Sequence, residues 1–222
     1  MSTRAQCVVF DLDGTLVETE QVWHDVRLEY VTEHSGRWND RAQQTMMGMR
    51  TQEWAAYIRT ELNVRESEST IARDVLNGVI ARLSRHIPIL PGANEALERL
   101  SNAFRLGLAT SAALPVAQSV LKETGWDKKF EAVVSADEVA RGKPSPDVYE
   151  RALELLGADA ARSAAIEDST NGLRSAVAAG LVTIAIPNRS YPPEPSALAL
   201  AARVISTLPE LDVPLVRDVL QS

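Results

Sequence analysis

The sequence predicts a doubly wound, Rossmann-like α/β fold: a parallel sheet core with a small α-helical domain inserted after the first strand. Two patterns carry this prediction. From residue 93 onwards, short apolar runs alternate with amphipathic helical segments, which is typical of parallel strands joined by helical crossovers. Between residues 17 and 87 only helical periodicity occurs. The predicted domains are therefore a core of residues 1–16 and 89–222 and a helical insert of residues 17–88.

The first strand and the inserted helices follow from apolar spacing. An unbroken apolar run over residues 7–10 suits a strand that is buried on both faces. Apolar side chains at helical spacing predict helices over residues 19–34, 51–62 and 69–85. Asn39 and Asp40 can open a shorter helix that runs towards Met46. Pro88, Pro91 and Gly92 mark the exit from the insert.

The remaining elements alternate in type. Helices are predicted over residues 93–104, 115–124, 146–156 and 169–180, and strands over residues 105–109, 132–134, 164–166 and 182–186. The prolines between residues 187 and 195 predict a loop. A weak last strand at residues 204–205 then precedes a C-terminal helix. Strands that alternate with helices in this way predict right-handed crossovers in a parallel sheet.

Composition and charge exclude several classes of protein. The 222 residues are 45% apolar and carry a net charge of −7, which argues against a nucleic-acid binder, because such a protein needs a basic face. No apolar run approaches membrane-spanning length. Residues 1–6 lead directly into a strand, so we expect no signal peptide. Cys7 is the only cysteine, so no intrachain disulfide can form, which fits a cytoplasmic protein. We expect a monomer or a weak dimer.

Polar side chains follow four of the predicted strands. Because the carboxyl ends of parallel strands meet at one edge of a sheet, we expect these side chains to lie together. The group lacks histidine and cysteine, which suits a hard cation such as Mg²⁺ and argues against zinc. A lysine and hydroxyls beside such a cation suit a phosphate-like anion. Singly, each residue has a structural explanation, such as a helix cap. The residues are Asp11, Asp13, Thr110, Ser111, Lys143, Glu167 and Asp168.

Four of these segments, in this order, resemble the motifs of the haloacid dehalogenase (HAD) superfamily. The segment Asp11-Leu12-Asp13-Gly14-Thr15 resembles the first motif, and Thr110 at the end of an apolar strand resembles the second. Lys143, between Gly142 and Pro144, resembles the third, and Glu167-Asp168-Ser169 resembles the fourth. The resemblance covers essentially the whole chain. It is strongest to the phosphatases of the β-phosphoglucomutase and sugar-phosphate phosphatase branch, which carry a helical cap after the first strand.

The resemblance implies a Mg²⁺-dependent phosphatase that hydrolyses a small phosphomonoester, such as a sugar phosphate, through an aspartyl-phosphate intermediate. Asp11 would be the nucleophile and Asp13 the general acid and base. The Asp11 carboxylate, the Asp13 backbone carbonyl and Asp168 would hold Mg²⁺, with Glu167 just outside this ligand set.

The same resemblance assigns the phosphate-binding groups. Thr110 and Lys143 would bind the phosphoryl oxygens, and Leu12 and Ser111 would contribute backbone N–H groups. Residues 17–88 would form the cap that closes over the site.

Candidate substrate contacts in the insert are Glu18, Trp23 and Arg50. Glu18 and Trp23 follow the catalytic loop, and Arg50 follows the turn at Gly48. Trp23 and Arg50 also have simpler interpretations, because Trp23 lies in an apolar stripe and arginines are usually exposed.

Two alternatives stay open. A β-phosphoglucomutase would carry a histidine in place of Trp23 and a Lys-Asn pair in place of Ala113-Leu114, so the phosphatase is favoured. A phosphorylation-dependent receiver module also has acidic, hydroxyl and lysine side chains at its strand ends. The long helical insert and the second aspartate, Asp13, argue against it.

Overall fold

Six parallel strands form one sheet in the computed structural model, which describes residues 6–221. The order across the sheet is third, second, first, fourth, fifth, sixth. The expected absence of a signal peptide concerns residues 1–5, which lie outside the described residues. The predicted Rossmann-like α/β class is confirmed. The strands are β1 (Cys7–Phe10), β2 (Arg105–Thr110), β3 (Phe130–Ser135), β4 (Ala164–Glu167), β5 (Val182–Ala185) and β6 (Arg203–Val204).

Helices follow the strands in the alternating pattern that the sequence predicts. One difference is a short helix that begins at Pro195, where the prolines predicted a loop. Proline is tolerated there because it occupies the first helical position, where its missing N–H costs no hydrogen bond. The helices are α1 (Glu20–Glu33), α2 (Ala42–Met46), α3 (Thr51–Thr60), α4 (Glu68–Leu83), α5 (Ala93–Ser101), α6 (Leu114–Thr124), α7 (Asp147–Leu156), α8 (Thr170–Ala178), α9 (Pro195–Leu198) and α10 (Val213–Val219).

Strand β1 lies at the centre of the sheet, between β2 and β4. Phe10 pairs with Leu108 on one side and with Ile166 on the other. All four residues of β1 are fully buried, as the apolar run predicted. The chain order reverses across the β1–β4 pair, and open α/β sheets bind ligands at such a reversal, outside the carboxyl ends of the strands. The fold therefore directs attention to the residues just after Phe10 and Glu167.

Helices α1 to α4 occupy the interval between β1 and α5, and the chain enters and leaves them through two adjacent segments. The N–H of Glu18 donates to the carbonyl of Pro88 at 2.8 Å, and the N–H of Leu90 donates to that of Leu16 at 3.0 Å. The division of the chain at residues 16/17 and 88/89 stays a prediction. Across residues 6–221, no helix has both the length and the apolar character that a membrane crossing would require.

Candidate active site

Three buried carboxylates meet at the carboxyl ends of β1 and β4. Asp11, Glu167 and Asp168 each offer an oxygen, and these oxygens lie within 4.8 Å of one another. The ladder continues one residue beyond β1, because the Asp11 N–H donates to the carbonyl of Ile166 at 3.0 Å. Burial is the main cause that raises the pKa of Asp11 and of Asp168 well above the usual range. The chain thus gathers like charges that need a counter-charge.

This oxygen cluster fits a hard divalent cation. Oδ1 of Asp168 is buried and has no hydrogen-bond partner among the described residues. Carboxylate oxygens without nitrogen or sulfur ligands are the donors that Mg²⁺ prefers. An unsatisfied oxygen beside two further carboxylates therefore matches the cation that the sequence predicted.

Lys143 links two of the carboxylates. Its Nζ donates to Oδ1 of Asp11 at 2.5 Å and to Oε1 of Glu167 at 2.6 Å. Burial disfavours the ammonium charge, but Asp11 and Glu167 outweigh burial and raise the pKa of Lys143 above its usual value. Lys143 is therefore a permanently charged group beside the Asp11 carboxylate.

Both carboxylate oxygens of Glu167 accept hydrogen bonds from other groups of the protein. The hydroxyl of Tyr149, on α7, donates to Oε1 at 2.7 Å, and the N–H of Asp168 donates to Oε2 at 3.1 Å. Gly172 makes this packing feasible, since a Cβ there would lie 1.9 Å from the Glu167 carboxylate. These contacts suit a residue that orients Lys143. Tyr149 lies in a segment that the sequence predicts as a helix, but the spacing contains no signal for its contact with Glu167.

Asp13 lies at the rim of the same site. The Thr19 hydroxyl donates to its Oδ1, and burial raises the pKa of Asp13. Gly14 follows with φ +86°, and a Cβ there would lie 2.0 Å from Oδ2 of Asp168. The same oxygen accepts from Nδ2 of Asn188 at 3.3 Å. Asn188, in the segment predicted as a loop, was not among the candidates.

The predicted phosphate-binding residues occupy different depths. Ser111 borders the cavity next to the carboxylates. Thr110 is fully buried at the end of β2, where its hydroxyl oxygen accepts from the N–H of Ala112 at 3.0 Å. The Leu12 side chain is buried in the core. Their roles towards phosphate stay predictions.

A cavity of about 650 Å³ opens from the carboxylates towards the inserted helices. Core residues form one wall, including Asp11, Lys143 and Asp168. The opposite wall belongs to α1, α2 and α3 and to the turn between α2 and α3. Its members are Glu20, Trp23, Arg27, Gln44, Met46, Met47, Gly48, Met49 and Trp54.

The three insert candidates lie in different places. Trp23 borders the cavity and packs edge-to-face on Trp54, with 6.1 Å between the ring centroids. Glu18 is half-buried beside the side chain of Asn188 and does not border the cavity. Arg50 does not border it either. Its guanidinium donates to Glu53 at 3.0 Å and to the carbonyl of Ala140 at 2.9 Å. The expected contact between Arg50 and substrate therefore has no support, because the carboxylate of Glu53, three residues later, binds the guanidinium.

The two charged cavity residues of the insert were not among the candidates. Glu20 and Arg27 share the face of α1 that carries Trp23, at spacings of three and four residues. A charged residue one turn after a buried tryptophan is the signal that could have found Arg27. Its guanidinium is nine-tenths or more buried and lies over both Trp23 and Trp54.

The fold and this site define an α/β enzyme with a carboxylate and lysine centre suited to an anionic group. A sequence model of the haloacid dehalogenase-like hydrolase family matches residues 8–186. The chain therefore belongs to that family, as its motifs predicted, and the receiver-module alternative is wrong. Its relatives identify it as a phosphoric monoester hydrolase.

Two curated relatives and one solved structure show the range of this similarity. The bifunctional riboflavin kinase/FMN phosphatase of Arabidopsis thaliana is 32% identical over 95% of this chain, which spans only 55% of that protein. The phosphorylated carbohydrates phosphatase of Thermotoga maritima is 28% identical over 81% of this chain and 83% of its own length. The crystal structure of CbbY from Rhodobacter sphaeroides in complex with phosphate has a TM-score of 0.83 and 28% identity. The matched region covers 93% of this chain and 96% of the CbbY chain.

Proposed function

We propose that the protein is a Mg²⁺-dependent phosphatase that hydrolyses a small phosphomonoester, such as a sugar phosphate, through an aspartyl-phosphate. The contact that carries the proposal joins Nζ of Lys143 to Oδ1 of Asp11 at 2.5 Å, in the core wall of the cavity. A fixed ammonium beside an aspartate allows that carboxylate to approach an anionic phosphoryl group. Family membership and the phosphatase relatives support this reaction class.

Asp11 and Asp13 divide the chemistry between them. An Asp11 oxygen forms a bond to phosphorus while the bond to the leaving oxygen breaks, and Asp13 donates a proton to that oxygen. Asp13 then takes a proton from water, whose oxygen attacks phosphorus and releases inorganic phosphate and the Asp11 carboxylate. The raised pKa that burial gives Asp13 suits the first of these proton transfers.

The other site residues bind and orient. Lys143, the Thr110 hydroxyl and the N–H groups of Leu12 and Ser111 hold the phosphoryl oxygens. Asp11, the Asp13 carbonyl and Asp168 would hold Mg²⁺, which supplies positive charge to the phosphoryl group.

Residues 17–88 act as a cap that excludes bulk water. They supply the second wall of the cavity, above the carboxylates.

Water is the phosphoryl acceptor in this proposal. A mutase must hold a second sugar hydroxyl against the aspartyl-phosphate, which needs polar side chains near Asp11. Trp23 and Ala113 border the cavity at the two places where a mutase would carry such groups. The substrate is a small phosphorylated metabolite, in line with the carbohydrate and FMN phosphatases among the relatives.

The experiment measures phosphate release from p-nitrophenyl phosphate in the presence of Mg²⁺. We expect multiple turnovers, their loss on chelation, and their loss in Asp11→Asn, because the amide is a poor nucleophile and a weak metal ligand. Asp127→Asn, an exposed aspartate far along the chain, is the matched control and should behave as wild type. Turnover by a folded Asp11→Asn protein would refute the assignment of Asp11 as the nucleophile.

The same preparation tests the acceptor. With β-glucose 1-phosphate and a trace of the 1,6-bisphosphate, we expect inorganic phosphate. Glucose 6-phosphate formed faster than phosphate would overturn the choice of water in favour of a mutase.

A further inference from the structure

Arg27 is a buried cation at the cavity, and its guanidinium has no hydrogen-bonding partner in the described part of the chain. Its side chain is 4% exposed, and the guanidinium carbon lies 4.7 Å from the ring centroid of Trp23 and 5.2 Å from that of Trp54. Within residues 6–221 its guanidinium donates no hydrogen bond and forms no ion pair with a carboxylate, and its Nε is buried and unsatisfied. Both indoles lie against the guanidinium and offer it no hydrogen-bond acceptor, so its N–H groups stay available for a ligand.

Glu20 presents an acceptor at the same wall. Nε2 of Gln43 donates to its Oε2 at 2.8 Å and so orients the carboxyl group. Burial, helped by Asp13, raises the pKa of Glu20 to about 7. Glu20 and Arg27 both border the cavity, and the Glu20 charge acts on Arg27, but no ion pair joins the two side chains among the described residues. A donor edge and an acceptor therefore face the cavity without satisfying each other.

We propose that Glu20 and Arg27 form a subsite for hydroxyl groups of the leaving alcohol and disfavour a second phosphate. The inference rests on the proposed phosphatase activity and specifies its substrate. A hydroxyl both accepts and donates, so neighbouring hydroxyls satisfy Arg27 and Glu20 together. A second phosphate would satisfy Arg27 alone and would lie close to the Glu20 carboxylate.

The charges around the cavity support the same choice. Its described lining contains two cations, Arg27 and Lys143. Lys143 is already engaged by Asp11 and Glu167. A second phosphate would thus depend on Arg27, whose charge Glu20 partly compensates, whereas neutral hydroxyls need no further cation.

The test compares three substrates that share one carbon chain: hexyl phosphate, hexitol 6-phosphate and hexitol 1,6-bisphosphate. For wild type we expect kcat/KM for hexitol 6-phosphate to exceed that for hexyl phosphate by about 10- to 100-fold, the value of one or two hydrogen bonds to charged groups. We expect the bisphosphate to be a poorer substrate than the monophosphate.

Two variants locate the effect. Arg27→Met keeps the length of the side chain and should bring the hexitol-to-hexyl ratio close to one. Glu20→Gln keeps the shape and the contact with Gln43, and should raise the bisphosphate-to-monophosphate ratio about fivefold or more. Arg59→Met, an exposed arginine of α3, is the control and should keep both wild-type ratios.

Several outcomes would overturn the inference. An equal loss for hexyl and hexitol phosphates in Arg27→Met would mean that Arg27 only supports packing. A wild-type preference for the bisphosphate would make the subsite an anion site. If Arg27→Met does not fold, an unchanged bisphosphate-to-monophosphate ratio in Glu20→Gln refutes the subsite. Hydrolysis of hexyl phosphate without any preference for hydroxyls leaves the phosphatase standing and removes the subsite, whereas no hydrolysis of any substrate removes both.

Discussion

The hydrogen bond from Tyr149 to Glu167 offers a clean test of how the buried site is held together. The Tyr149 hydroxyl donates to Oε1 of Glu167 at 2.7 Å, and both side chains are fully buried. Burial and the Glu167 charge raise the pKa of Tyr149 well above its usual value, so the hydroxyl keeps its proton. Tyr149→Phe deletes this donor and preserves the ring, whose centroid lies 5.0 Å from Nζ of Lys143.

The expected loss of unfolding free energy is about 1.5–3 kcal/mol, the range for a hydrogen bond to a charged group. We expect this loss because the Glu167 carboxylate stays buried and loses a donor that phenylalanine cannot replace. Turnover should fall less than in Asp11→Asn, since Lys143 keeps its own contacts with Asp11 and Glu167.

Urea unfolding of wild type and Tyr149→Phe at pH 7 measures the difference through the midpoint at an unchanged m-value. Tyr57→Phe, which removes a hydroxyl from a partly exposed ring of α3, is the matched control and should change stability by less than about 0.5 kcal/mol. A loss below about 0.5 kcal/mol in Tyr149→Phe would show that Glu167 does not depend on this donor.

Two further predictions concern backbone space and pH. Gly14→Ala should abolish Mg²⁺ binding measured by calorimetry, because its Cβ would lie 2.0 Å from Oδ2 of Asp168. Gly125→Ala is the control, because it has the same left-handed strain at φ +73° but no atom within 4 Å of the added Cβ. Loss of Mg²⁺ binding in this control as well would contradict the steric explanation. The pKa of Glu20 is about 7 against a usual 4.5, so the folded state binds the proton more tightly than the unfolded one. As the pH rises between these two pKa values, deprotonation of Glu20 should lower the free energy of unfolding by up to about 3 kcal/mol. Glu20→Gln should abolish this part of the pH dependence. Urea titrations from pH 4.5 to 7.5 measure it, and a wild-type minus variant difference that is flat with pH would contradict it.

The amino-acid pattern was sufficient to predict the sheet and the edge at which the site forms. Strand β1 is a continuous apolar run, which suits only a central position, and the polar residues directly after it and after β4 must lie at one edge. The carboxylate cluster of Asp11, Glu167 and Asp168 follows from that topology with little help from side-chain packing. The family motifs could be recognised for the same reason, because each is a short segment at a strand end.

Side chains brought together from distant segments could not be predicted in this way. The contact of Tyr149 with Glu167 depends on how α7 packs against the sheet, and that of Asn188 with Asp168 depends on the path of the loop after β5. Neither distance is encoded in local periodicity.

The cap side of the cavity shows the same division between local pattern and packing. From sequence, Arg50 and Arg27 are both arginines near the predicted site, and Arg50 was chosen because it follows a glycine turn. In the folded chain Arg50 pairs with Glu53, whereas α1 turns Arg27 inward against Trp23 and Trp54. Which charged side chain reaches the cavity is decided by the rotation of a helix against its neighbours, because burial of the indoles determines which face of α1 turns inward.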